Sequence, residues 1–240
     1  MNKKDVIIAL DFPDRQTTLD FLDLFPAGEK PFVKIGMELF YAEGAPMVRE
    51  IRKRGHKIFL DLKLHDIPNT VKRAMSVLSG LDVDMANLHA AGGSAMMKAA
   101  LEGLKRPDGS RPLLIAVTQL TSTDAKTLRE ELLITAPMEY TVWSYAQNAA
   151  RCGLDGAVCS PQEAADVKRR CGASFLTVTP GIRFADGDIG DQKRVMTPAK
   201  AAGAGCDYIV VGRPITQAAN PVEAYRRCVR EFAGKDGGDV

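Results

Sequence analysis

The sequence predicts an α/β protein, a single (β/α)8 barrel of the TIM type. Three observations predict it. Short apolar runs alternate with segments of helical spacing about eight times along the chain. Several of those runs are continuously apolar rather than alternating, as parallel strands covered on both faces require. The chain has 240 residues, close to the roughly 250 over which eight such units close into one barrel.

The elements follow in order. Residues 6–10 are Val-Ile-Ile-Ala-Leu, a β-branched run ended by Asp11, and read as strand one. A helical segment over 17–25 follows. Residues 32–35 give strand two and 39–54 its helix. Residues 57–62 give strand three, with a helix over 71–78 behind Pro68. Residues 85–88 are strand four and 94–104 its helix. Residues 113–117 are strand five, followed by a helix over 140–152. Residues 156–159, 175–178 and 208–211 are strands six to eight. Their helices are expected over 161–170, 197–204 and 214–232, the last opened by Pro214. The barrel domain is expected to span residues 1–233, and the Gly-rich residues 234–240 to form a frayed tail.

Composition removes several classes. Net charge is +2, from 32 basic and 30 acidic residues, with no basic block. A nucleic-acid partner is therefore not expected. The five cysteines are odd in number and form no C-x-x-C, which fits reduced thiols in a cytoplasmic protein. The apolar run after Lys3 and Lys4 stops at Asp11, too short for a signal peptide or a membrane span. No G-x-G-x-x-G follows a strand, there is no Walker A loop, and Gly203-Ala-Gly205 precedes a strand instead. No serine has a G-x-S-x-G context. Three scattered histidines give no metal spacing.

In such a barrel the chemistry lies at the C-terminal ends of the strands. Polar residues gather there: Asp11, Lys34, Asp61, Lys63, Asn87, His89, Thr118, Gln119, Thr121, Arg183 and Arg213. The strand starts read as bland. Asp61 and Lys63 are two apart and point the same way on a strand. Lys34 on the neighbouring strand can reach them, and Asp66 lies just beyond. Two readings are open. Lys34, Asp61, Lys63 and Asp66 form a catalytic charge network, or a structural ion-pair network at the barrel mouth. Asp66 also has the position of a helix N-cap before Pro68. Gly212-Arg213-Pro214 suggests an anion site after strand eight, where barrels of this type bind phosphate. Arg183 and Gln192 lie on a loop containing Gly187 and Gly190 that could close as a lid. The other reading of both segments is a solvated loop and an ordinary cap. His56 and His65 read as surface or packing residues. His89 either touches the site or holds its loop by a hydrogen bond.

The stretch Phe59-Leu-Asp-Leu-Lys-Leu-His-Asp-Ile-Pro-Asn-Thr70 resembles the D-x-K-x-x-D signature of the orotidine 5′-phosphate decarboxylase family. The likeness continues through Val6-Ile-Ile-Ala-Leu-Asp11, Val33-Lys-Ile-Gly36, Leu120-Thr121-Ser122, Cys152-Gly-Leu-Asp-Gly156, Thr179-Pro-Gly-Ile-Arg183 and Val211-Gly-Arg-Pro214, in the manner of the family's bacterial branch. The resemblance implies conversion of orotidine 5′-monophosphate to uridine 5′-monophosphate, with no metal and no organic cofactor. It implies that Asp11 and Lys34 hold the ribose hydroxyls, Asp61 faces the substrate carboxylate, and Lys63 delivers the proton to C6. Thr121 and Pro180 would line the ring pocket. Arg183, Gln192, Gly212 and Arg213 would bind the 5′-phosphate. Asp66, Ile67 and Thr70 would reach into the neighbouring site of a homodimer. Metal-dependent sugar-phosphate barrels that share D-x-K-x-x-D, and a non-catalytic nucleotide-phosphate binder, are the rival readings.

Overall fold

The computed structural model describes residues 4–186 and 196–234. Eight parallel strands, β1 (Asp5–Leu10), β2 (Phe32–Ile35), β3 (Ile58–Leu64), β4 (Met85–His89), β5 (Leu113–Val117), β6 (Gly156–Val158), β7 (Leu176–Thr179) and β8 (Tyr208–Val211), close in sequence order. β8 pairs with β1 to complete the barrel. The expected (β/α)8 architecture is what forms.

Strand alternation splits the apolar residues into two sets. Ile7, Ala9, Phe32, Phe59, Met85, Ile115, Val178 and Val210 fill the lumen. Their neighbours, among them Ile8, Leu10, Val33, Ile35, Leu60 and Leu114, face outward and pack against the helices. The continuous runs are therefore two interleaved cores, one inside the barrel and one around it. The lumenal filling stops partway up, and on the β1–β4 side Asp11, Lys34, Asp61 and Asn87 take the inward positions above it.

The helices are α1 (Arg15–Asp23), α2 (Met37–Lys53), α3 (Pro68–Ser79), α4 (Gly93–Leu104), α5 (Ala125–Glu130), α6 (Met138–Arg151), α7 (Ala164–Cys171), α8 (Pro198–Gly203), α9 (Arg213–Thr216) and α10 (Pro221–Ala233). Three differ from expectation. α5 was not anticipated, although Asp124 caps it by accepting from Thr127 N at 2.8 Å. The segment 214–232 is two helices, because Asn220 caps α10 and Pro221 opens it. α2 breaks at Gly44, two residues before Pro46.

The strand starts are not bland. Asp84 precedes β4, and its Oδ2 accepts from Ile58 N at the start of β3 at 2.8 Å. Asp155 precedes β6 and accepts from Leu114 N of β5 at 2.7 Å. Asp207 precedes β8 and accepts from Thr177 N of β7 at 2.8 Å. Each also pairs with a cation: Arg52, Arg111 and Lys168 respectively. Three aspartates thus tie the first free N–H of an odd strand to the even strand that follows it. Among the described residues no helix is long and apolar enough to cross a membrane.

Candidate active site

The C-terminal ends of the strands surround a cavity of about 550 Å³. Its floor is a line of alternating charge. Asp11 extends just past β1. Lys34, inward on β2, donates from Nζ to Asp11 Oδ1 at 2.9 Å and lies 3.3 Å from Asp61 Oδ2. Lys63 Nζ donates to the other oxygen, Asp61 Oδ1, at 2.7 Å. Gly36 makes room for this line: a Cβ there would stand 2.9 Å from Lys34 Nζ and 3.1 Å from Asp11 Oδ1.

Burial opposes the charge on both central members, and their partners overcome it. Asp61 is held below the ordinary carboxylate range because Lys34, Lys63 and the Asn87 amide outweigh its desolvation. Lys34 is held above the ordinary lysine value because Asp61 and Asp11 outweigh its own. Both are therefore charged at neutral pH.

Lys63 does not reach this position by plain alternation. β3 and β4 are in register at Leu60↔Ala86 and next at Leu64↔Leu88, so β3 bulges between them. Lys63 lies on the bulge at φ 51°. Its N–H donates to Asn87 Oδ1 at 2.8 Å, while Asn87 Nδ2 donates to Asp61 Oδ1 at 2.7 Å.

The rim carries Thr121 and Ser122 beyond β5, Pro180, Gly181 and Arg183 beyond β7, and Gly212, Arg213 and Gln217 beyond β8. Arg183 and Arg213 also line an adjoining outer hollow of about 570 Å³ with Phe184 and Arg227. The two ends of the loop after β7 are joined by an Ile182↔Met196 bridge, with Arg183 N donating to Met196 O at 3.1 Å. At Gly212 a Cβ would meet nothing nearer than 3.6 Å. Packing within the chain therefore does not require a glycine there.

Asp11, Lys34, Asp61, Lys63, Thr121, Pro180, Arg183, Gly212 and Arg213 all line the one cavity. Asp66, Ile67 and Thr70 do not: all three are solvent-exposed. The charge line therefore has Asp11 as its fourth member within a single chain, where Asp66 was expected. Asp66 is not the N-cap of α3 either. That position is Ile67, without a side-chain bond, and Asp66 Oδ1 accepts only the adjacent Ile67 N at 2.6 Å. Gln192, Gly187 and Gly190 lie outside the described residues.

His56 is a buried packing residue, its Nδ1 2.9 Å from Pro31 O. His89 stacks 5.6 Å from the exposed His65, and burial, with His65 and Lys63 nearby, lowers its pKa. Asn87 stands among the polar strand ends in the sequence but has no site role assigned there, and Gln217 is not singled out at all. Asn87 had a signal, being polar at an inward position of an apolar strand; Gln217 had none. Among the described residues no group of three or more His, Cys, Asp or Glu is placed to hold a metal ion.

Fold and site define a (β/α)8-barrel enzyme with its chemistry at the C-terminal face of the strands. The chain belongs to the orotidine 5′-phosphate decarboxylase / HUMPS family, whose model matches residues 4–228. It is 57% identical over 231 residues to the orotidine 5′-phosphate decarboxylase of Geobacillus thermodenitrificans, covering 95% of this chain and 96% of that one. The Streptococcus pyogenes orotidine 5′-phosphate decarboxylase is 56% identical over 234 residues, 98% of this chain and all of the relative. The crystal structure of orotidine 5′-phosphate decarboxylase from Lactobacillus acidophilus superposes with a TM-score of 0.86 at 41% identity, covering 95% of this chain and 99% of that one.

Proposed function

We propose that the chain converts orotidine 5′-monophosphate to uridine 5′-monophosphate and carbon dioxide, the last step of de novo pyrimidine nucleotide synthesis, without metal or organic cofactor. The observation that carries this reading is Lys63. Its amine is held 2.7 Å from a buried carboxylate at the floor of a cavity whose rim presents Arg183 and Arg213.

Cleavage of the bond between C6 and the carboxylate releases carbon dioxide and leaves its electron pair on C6. The ring delocalises that charge poorly, so the site must stabilise it electrostatically. Oriented charges in a water-poor cavity are suited to this, since they need no reorganisation as the charge develops. The Lys63 ammonium faces C6, stabilises the carbanion and transfers its proton there. Asp61 and Lys34 keep that ammonium aimed. Asp61 also stands beside the substrate carboxylate, an unfavourable contact that is relieved when carbon dioxide leaves.

Asp11 and Lys34 take the ribose hydroxyls, and Thr121 and Pro180 the pyrimidine. Arg213 and Arg183 bind the 5′-phosphate with Gln192, and the absence of a side chain at Gly212 lets the phosphate approach the backbone. Asp66, Ile67 and Thr70 enter the neighbouring subunit's site in a homodimer. The large exposure of Ile67, 67%, supports this, since an isoleucine left in solvent gains by burial in a partner. Five cysteines, none of them in a disulfide, fit a cytoplasmic enzyme.

The test is to mix the purified protein with orotidine 5′-monophosphate in excess EDTA and follow the ultraviolet change to uridine 5′-monophosphate. Turnover undiminished by EDTA is the expected result. Turnover that needs added magnesium would overturn the metal-free reading. A folded protein without turnover would reject the assignment and favour a metal-dependent sugar-phosphate barrel or a binding protein.

A further inference from the structure

We infer that Asn87 is a positioning residue for Lys63 and Asp61. Its carboxamide takes over the backbone pairing that the β3 bulge gives up, and so sets where the Lys63 amine points. The inference rests on the reaction proposed above.

Between the registered pairs Leu60↔Ala86 and Leu64↔Leu88, β3 advances four residues while β4 advances two. Asn87 is the one β4 residue between them. A regular parallel ladder would pair backbone groups at this point. Here the Lys63 N–H bonds to the Asn87 side chain, and Lys63 holds a left-handed φ of 51° that a residue with a Cβ adopts only when its surroundings impose it.

The orientation of the amide follows from its partners. A backbone N–H can only donate, so the atom facing Lys63 N is the amide oxygen. The amide nitrogen then faces Asp61 Oδ1, the same oxygen that receives Lys63 Nζ. A donor in that position favours the carboxylate over the acid. One buried side chain, 1% exposed, therefore holds the backbone of the lysine and the ionised state of its counter-ion. The inward residues on three other strands, Val117, Val158 and Val178, are apolar. Burying an amide among them is unfavourable unless its bonds are made, and here both ends are bonded.

The experiment compares the full-length protein with Asn87→Leu and Asn87→Asp. Leucine is similar in size and removes both bonds. Aspartate keeps the acceptor for Lys63 N–H and replaces the donor to Asp61 with a second carboxylate. For each, kcat, KM, the pH profile of kcat, uridine 5′-monophosphate binding by calorimetry, and the thermal midpoint are measured. Asn87→Leu is expected to lower kcat at least about tenfold. Product affinity should stay within about threefold, because ribose and phosphate are held elsewhere. In Asn87→Asp the acid limb of kcat should move up by about one pH unit, because two adjacent carboxylates share a proton.

A role in packing alone would lower the thermal midpoint of both variants and leave the pH profile in place. That outcome overturns the inference, as does a folded Asn87→Leu with kcat within about threefold of the parent. If the parent itself does not turn over, the proposed reaction fails, and the positioning role is read without substrate. Acid unfolding of Asn87→Asp should then begin at higher pH than in the parent, and an unchanged acid limb overturns the inference. Asn87→Ser, smaller than the native side chain, stands in for any variant that does not fold.

Discussion

Asp61 has a lysine on each carboxylate oxygen, and this sets how the site responds to pH. Its folded pKa is depressed, so the stability it contributes is present above the ordinary value of about 3.9 and is lost as pH falls through the folded value. The folded pKa of Lys34 is raised. Its contribution is therefore complete below about 10.4 and is lost as pH rises through the folded value. The site should be held together over the whole range between. Asp61→Asn leaves the buried Lys34 and the half-buried Lys63 short of a counter-charge and should cost of order 3 kcal/mol at pH 7. That deficit should shrink as pH falls below about 4, where the unfolded parent takes up its proton first, and vanish once the folded parent is protonated as well. Urea unfolding across pH measures both effects. Unchanged stability together with near-normal kcat would remove Asp61 from the charge line and from catalysis alike.

At the scale of elements, the two ends of each strand carry separate duties. The aspartates before β4, β6 and β8 lie at the opposite end from the cavity. Asp155→Ala frees Leu114 N and leaves Arg111 without its partner, so it should destabilise by about 2 kcal/mol. The kcat of the folded enzyme should not change. A lowered kcat at full folding would contradict this division of the barrel. Arg213 begins α9, a helix of only 4 residues, so the anion reading depends on its guanidinium more than on a helix end. Arg213→Ala should lower kcat/KM at least about a hundredfold, or about 2.8 kcal/mol, in the folded enzyme. A near-normal kcat/KM would reject the phosphate assignment.

For the whole molecule, the decisive residues are those that one chain leaves outside its own cavity. Asp66, Ile67 and Thr70 follow directly on the strand that carries Lys63, yet all are exposed. If they complete a neighbouring site, Lys63→Ala and Asp66→Asn chains should each be nearly inactive alone. Mixed and reassembled at equal amounts, they should recover roughly a quarter of the parent activity, because each hybrid dimer then holds one intact site. No recovery from verified hybrids would place Asp66 in its own chain's site or in none.

Much of this protein was legible in its residues. Apolar runs recurring about eight times define a barrel, since a strand buried on both faces shows its burial in its own composition. The charged residues at 11, 34, 61 and 63 stood out because charge is costly in such runs unless it is paired. The α9–α10 break was also readable, in Asn220-Pro221, and was overrun by the helical spacing on either side. What only the tertiary structure decided lies between strands. Periodicity records which face is buried and not which group stands opposite. The Asp84, Asp155 and Asp207 bonds, the β3 bulge and the Asn87 bridge are all partnerships across a ladder, so no single segment contains them. The sequence by itself determined that this chain is a barrel with a charged floor. The tertiary structure decided which atom of Asp61 meets which lysine, and it did so through register, which the backbone sets only when the barrel closes.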